Sequence, residues 1–363
     1  MQYFGLADFR SLQMPITRRS FLINAAGVAC APAILSATDK SGTKNPILGQ
    51  GEYRYEAIHD WGELPRTIKY GNTHGVCEDS QGHIYIHHIV GANSDSQDTM
   101  VVFDQNGKFV RSWGRQFKGG AHGLTVRKEG SEEFLYLCDY EHGIVTKRTL
   151  KGEEVFTIGY PAESEAYKSK DSSSTVAYRP TNVAISPNGD IYIGDGYGSS
   201  FINQYNHKAE FIRSFGGLGK GEDQLDCPHG LWVDTRGDAP VLVVADRGNG
   251  RLHRFTLEGK HVDFILGTTQ MPCYFHERNG DVVIPDLLSK VVVLDRQNHV
   301  VASLGEGEYS KDDWSTVRNQ APGTFMPGRF VCPHGACFDH EGNIFVVEWV
   351  EAGRVTKLRR LAG

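Results

Sequence analysis

The 363-residue chain has little of what several common protein classes require. After residue 40 no long basic run occurs, and the formal net charge is -6, which argues against a nucleic-acid surface. The body of the chain has no sustained apolar helical periodicity, which excludes a helical bundle. Its first apolar stretch, "FLINAAGVACAPAILSA", is short and rich in small residues, so no membrane span is expected in the mature chain. Seven cysteines are present, but none form a CxxC pair, so a structural zinc knuckle is not expected, and the six beyond residue 40 are expected to be mostly buried free thiols. Glycine is plentiful, at 42 residues, which fits many turns between short strands.

Residues 1–45 read as an export signal and linker. Arg18 and Arg19 precede Ser20, Phe21 and Leu22 and an alanine-rich apolar run, the order of a twin-arginine signal. Met14 is an alternative start, and a buried first helix is the competing reading. Export predicts a periplasmic or extracellular protein, with Cys30 as a weakly matched lipid-anchor site.

Residues 46–363 repeat one unit six times: a polar or proline residue, His or a substitute, a small residue, a strand, a Gly-bearing turn, a second strand ending in an acid, and two further strands. The "THGVCEDSQGHIYIHH", "AHGLTV", "TNVAISPNGDIYIGD", "PHGLWVD", "PCYFHERNGDVVIPD" and "PHGACFDHEGNIFVVEW" segments open the six copies. The last copy has only three strands, and "GEYRYEAIHDWG" at residues 51–62 has the form of the missing outer one. An N-terminal strand that completes the last repeat closes a ring, so the expected fold is all-β, a six-bladed β-propeller and a self-contained monomer. Polar insertions at 161–179 and 306–329 are expected to be surface loops over the channel mouth.

One position of the unit faces the axis and reads His74, His122, Asn182, His229, Cys273, His334. His122, His229 and His334 fall in alternate blades and form a triangle suited to a zinc-like ion, with cobalt, manganese or iron as alternatives. His74 is a fourth ligand, a proton carrier or an outer group. Tyr197 in "GDGYGSS" and Arg247 in "ADRGNGR" lean toward the same place, one as a base and one as an anion holder; their structural alternatives are a packed hydroxyl and an ion pair with Asp246. His88 stands where other blades carry the acid, beside His87, and is read as a metal or substrate contact or a solvated turn residue.

These features resemble the NHL-repeat propellers, and within them the peptidyl-α-hydroxyglycine α-amidating lyases, over about residues 47–361. The resemblance implies metal ligation by His122, His229 and His334, a catalytic Tyr197 from "GDGYGSSFI", a substrate-binding Arg247 from "ADRGNGRL", and a structural calcium in the channel. It implies a small-molecule or peptide-derived carbinolamide substrate cleaved at its C–N bond. The chain departs from the pattern in two places: "IYIHHIVGANSD" lacks the first-blade arginine, and Gly198 replaces a cysteine. A non-catalytic NHL-type binding propeller, and a metal-dependent hydrolase or lyase acting on a sugar or lactone, are the competing functions.

Overall fold

The computed structural model describes residues 45–169, 174–307, 309 and 312–362. The export-signal residues, with Arg18, Arg19 and Cys30, lie outside them. Six antiparallel sheets stand in sequence around one axis. Blade one contains Tyr70–Glu78, Ile84–Val90, Met100–Phe103 and Phe109–Trp113, and the next four blades repeat this order, each starting with its innermost strand.

The ring closes through blade six. Its chain-terminal strands Pro333–Phe338, Ile344–Glu348 and Arg354–Arg360 pair with Tyr55–Ile58, in register from Tyr55 opposite Arg360 to Ile58 opposite Lys357. The predicted closing strand is therefore present, with Gly51–Tyr53 as a 3-10 turn before it. A further two-residue strand, Ile47–Leu48, lies outside it and was not expected.

Alternation along the inner strands explains where the core sits. Successive side chains point to opposite faces, and both faces of each blade are covered. In Ile84–Val90, Ile84 and Ile86 pack with Phe345 and Val347 of blade six, while Tyr85 packs with Leu124 and Leu135 of blade two. Equivalent clusters fill the other four interfaces, so the hydrophobic core is six wedges between blades.

In blades three to six the acid that ends the second strand fastens its blade to the segment entering that blade. Asp195 accepts from Arg179 N at 2.6 Å, Asp246 from Asp226 N at 2.7 Å, and Asp286 from Gln270 N at 2.6 Å. In blade six the acid is Glu348, fully buried and paired with Arg354 through two guanidinium nitrogens. Arg354→Met leaves that carboxylate buried without its cation, so denaturant unfolding should show a loss of about 3–5 kcal/mol. The Glu348→Gln/Arg354→Met double variant should recover part of it. An Arg354→Met protein as stable as the parent would contradict this role.

Candidate metal and catalytic centre

The His-Gly pair of the repeat has a local structural cause. In blades one, two, four and six the first strand breaks register with its neighbour where the histidine sits, between Thr73 and Gly75, Ala121 and Leu124, Pro228 and Leu231, and Pro333 and Gly335. Such irregularities re-aim a side chain. The glycine then lets the next blade approach closely. A Cβ at Gly123 would meet Thr181 O at 2.4 Å, at Gly230 Cys273 O at 2.6 Å, and at Gly335 His74 O at 2.6 Å.

Those three carbonyls are the ones that hold the histidines. His122 Nδ1 lies 2.6 Å from Thr181 O, His229 Nδ1 2.8 Å from Cys273 O, and His334 Nδ1 3.0 Å from His74 O. A carbonyl can only accept, so each Nδ1 carries the proton and each Nε2 presents a lone pair. In the two "CPHG" copies the preceding Cys227 and Cys332 adopt left-handed φ values of 55° and 52°, a strained entry that precedes the proline beginning the strand. Gly335→Ala drives a methyl into the His74 carbonyl, which should cost about 1–3 kcal/mol and loosen His334. Thermal unfolding with and without added metal checks both effects, and unchanged stability with unchanged metal response would contradict the close-approach argument.

The three anchored rings form a nearly equilateral triangle, with centroid separations of 4.9 Å (His122–His229), 4.8 Å (His122–His334) and 4.7 Å (His229–His334). All three are buried. Burial pushes the His334 imidazole down to about 3 and those of His122 and His229 well below the ordinary value, so all are neutral at pH 7. The Tyr197 hydroxyl lies 3.2 Å from His122 Nε2 and 3.0 Å from His229 Nε2, and its single proton can serve only one of them. His334 Nε2 has no hydrogen-bond partner. Three buried lone pairs thus meet around one proton, an arrangement that a cation would satisfy.

Among the described residues, the His and Cys side chains whose donor atoms all lie within 4.8 Å of one another form two buried sets, His74 with His122 and His334, and His229 with Cys273 and His334. The predicted trio is divided between them, with His334 in both. Nitrogen and sulfur donors suit a transition metal or zinc. Neither set contains a carboxylate, the usual calcium ligand. Farther along the channel the Tyr274 hydroxyl donates to Leu124 O at 2.6 Å.

His74 differs from the other three. Its ring is 4.8 Å from His122 and 4.7 Å from His334, but its Nδ1 has no partner. The His122 carbonyl that would anchor it faces His87 Nδ1 at 3.3 Å. His88 belongs to neither donor set. It is buried edge-on to Tyr70, with Nδ1 2.7 Å from Ile89 O, which corrects its reading as a solvated turn residue. Adjacent strand residues face opposite ways, so His87, and not His88, underlies the site.

The turn that carries Tyr197 is fixed by Asp195, which accepts from Ser199 N at 2.7 Å and from the Tyr167 hydroxyl at 2.8 Å. Tyr167 and Arg179 extend the 161–179 insertion, which therefore braces this turn. A side chain at 198 would meet the Asp195 carboxylate at 2.1 Å, which explains Gly198. Burial raises the Tyr197 phenol to about 12, and Arg247 acts in the opposite direction. The expectation that nearby positive charge makes Tyr197 a ready base is thus not met by Arg247 alone.

Arg247 does not pair with Asp246, whose carboxylate takes Arg251 Nε at 2.6 Å. Its guanidinium lies 5.3 Å from the Tyr197 ring centre and contacts Cys227 Sγ at 3.2 Å and Cys273 Sγ at 3.9 Å. Among the described residues it forms no ion pair, so its charge is available at the site.

Three further residues were not anticipated. Tyr140 stacks edge-on to His122 and Tyr197 at 5.7 and 5.6 Å. Trp349 supports Arg318, whose guanidinium sits 3.6 Å over the indole and donates to Asn72 Oδ1 at 2.7 Å. The charge of Arg318 bears on His74 and His334, on the blade-one side where the sequence lacks an arginine. Tyr140, Arg247 and Trp349 each directly follow their blade's acid, a register that could have identified the first and last.

No family model matches the chain. It is 31% identical to peptidyl-alpha-hydroxyglycine alpha-amidating lyase 1 of Drosophila melanogaster over 157 residues, covering 41% of this chain and 27% of that protein. It is 24% identical to a Caenorhabditis elegans protein described as a probable peptidyl-alpha-hydroxyglycine alpha-amidating lyase, covering 80% and 83% of the two chains. The chain thus spans about a quarter of the first of these relatives and most of the second. A solved structure of streptogramin B lyase superposes with a TM-score of 0.54 at 15% identity, covering 84% of this chain and 98% of that one, which shows a shared fold. The chain is therefore a six-bladed β-propeller with a buried histidine–cysteine centre and a partial resemblance to the amidating lyases.

Proposed function

We propose that this protein is a metal-dependent C–N lyase that cleaves a small carboxylate-bearing carbinolamide. The observation that carries the proposal is the set of three backbone-anchored histidines with their Nε2 lone pairs turned to one buried volume beside Tyr197. Zinc is the preferred occupant, held by His122, His229 and His334. A divalent ion there supplies Lewis acidity to a substrate hydroxyl.

The remaining work belongs to the chain. Tyr197 places its oxygen between two of the ligands, where it can take the hydroxyl proton. As that C–O–H becomes a carbonyl, the C–N electron pair moves to nitrogen, and the proton ends on the departing amide. Arg247 presents an unpaired guanidinium for the carboxylate, Arg318, which also pairs with Glu351 at 3.2 Å, lies on the blade-one side, and Tyr140 and Trp349 supply aromatic walls. The twin-arginine-like segment supports action outside the cytoplasm.

The direct test incubates metal-replete protein with an N-acyl-α-hydroxyglycine and measures glyoxylate together with the released amide. One equivalent of each, formed faster than in buffer and suppressed by chelation, is expected. Consumption no faster than in buffer would overturn the lyase reading.

A further inference from the structure

The axial cysteine of blade five occupies the position that three alternate blades fill with an anchored histidine. Cys273 is fully buried, and its sulfur belongs to a donor set with His229 and His334. The same residue performs a second task, since its carbonyl fixes the Nδ1 proton of His229 at 2.8 Å. The contact that aims His229 therefore also places the Cys273 side chain beside it. His334 Nε2, buried and without a partner, is aimed into the same volume.

Charge selects between the two donor sets. An imidazole Nε2 has one lone pair, so His334 serves one ion. The set with His74 and His122 is made of three neutral imidazoles. An ion held by it alone keeps its full positive charge in a buried space that also faces the cation of Arg247, whereas Arg318 is ion-paired with Glu351 at 3.2 Å. Neither donor set offers a carboxylate, and Arg247 brings none, having no ion pair among the described residues. The Cys273 sulfur, 3.9 Å from Arg247 Nη1, is the anionic ligand available in these sets once its proton leaves. Its present contacts are weak, a thiol donating to Met271 O at 3.5 Å, and do not compete with a metal bond.

We propose that Cys273 ligates the ion as a thiolate beside His229 and His334, joining the three histidines of the proposed function as a further ligand, so that the centre is a mixed nitrogen–sulfur site. This inference rests on the metal reading of the site and adds to it. A thiolate ligand reduces the net charge at the metal and favours zinc, cobalt or copper over manganese, magnesium and calcium.

Cobalt(II) reports this ligand without any substrate. Chelator-stripped full-length protein reconstituted with cobalt(II) should show visible ligand-field bands together with a near-ultraviolet sulfur-to-cobalt charge-transfer band. Cys273→Ser should lose the charge-transfer band and keep ligand-field absorption. Cys227→Ser, which removes the other sulfur on Arg247 but no member of either donor set, should keep both. X-ray absorption of the wild-type cobalt protein should show a sulfur neighbour, a measurement that needs no variant to fold. Ligand-field bands without the charge-transfer band in wild type, or a band surviving Cys273→Ser, would overturn the thiolate and leave the histidine site standing. Wild-type protein that binds no cobalt would overturn both.

Discussion

Tyr197→Phe should lower turnover by about 10²–10⁴-fold, the range removed with a positioned general acid or base, while leaving metal content unchanged. The ring keeps its place because its supports are independent of the hydroxyl. Asp195 fixes the turn, and Tyr140 and Arg247 pack against the ring. What disappears is the oxygen 3.2 Å from His122 Nε2 and 3.0 Å from His229 Nε2. Steady-state kinetics on a carbinolamide, with metal analysis of the same preparation, separates the two effects. A variant that loses its metal along with its activity would make Tyr197 a support of the ligands, and full retained activity would remove it from the chemistry.

His334→Ala carries the second large effect, because that side chain is common to both donor sets. Removing it should weaken metal binding by more than about 100-fold, beyond the loss typical of an outer partner of a ligand. It should also erase the stabilisation that metal confers, about 2.7 kcal/mol in a protein binding with free metal at a hundred times its Kd. The metal-free fold should survive, since the wedges between blades do not pass through this ring and the one hydrogen bond lost is that of its Nδ1 to His74 O. Thermal unfolding with and without zinc provides the comparison. A variant that is still stabilised by zinc as strongly as wild type would place the ion elsewhere.

Much of this organisation can be read in the chain because the repeat records it at short range. Histidine, glycine and the strand that follows are neighbours in sequence, so the aimed ring and the close approach that fixes its tautomer are both visible in "HG". The closing strand Tyr55–Ile58 is legible by its likeness to other outer strands, whereas two-residue Ile47–Leu48 is too short to carry a period. His88 misleads because the register of the acid assigns it a place at the mouth. In the fold its ring is instead buried edge-on to Tyr70. Arg318 comes from an insertion without periodicity, and only tertiary packing on Trp349 and Asn72 directs it to blade one. Cys273 is legible as an axial residue, but its proximity to His229 and His334 depends on the curvature of the ring.

Elemental analysis of untagged wild-type protein tests the central claim most directly. The geometry predicts about one zinc or similar transition-metal ion per chain, removable by chelation and restored by dialysis against the metal. Protein that remains metal-free after growth and dialysis in excess zinc, while fully folded, would contradict it, and the converging histidines would then be channel packing.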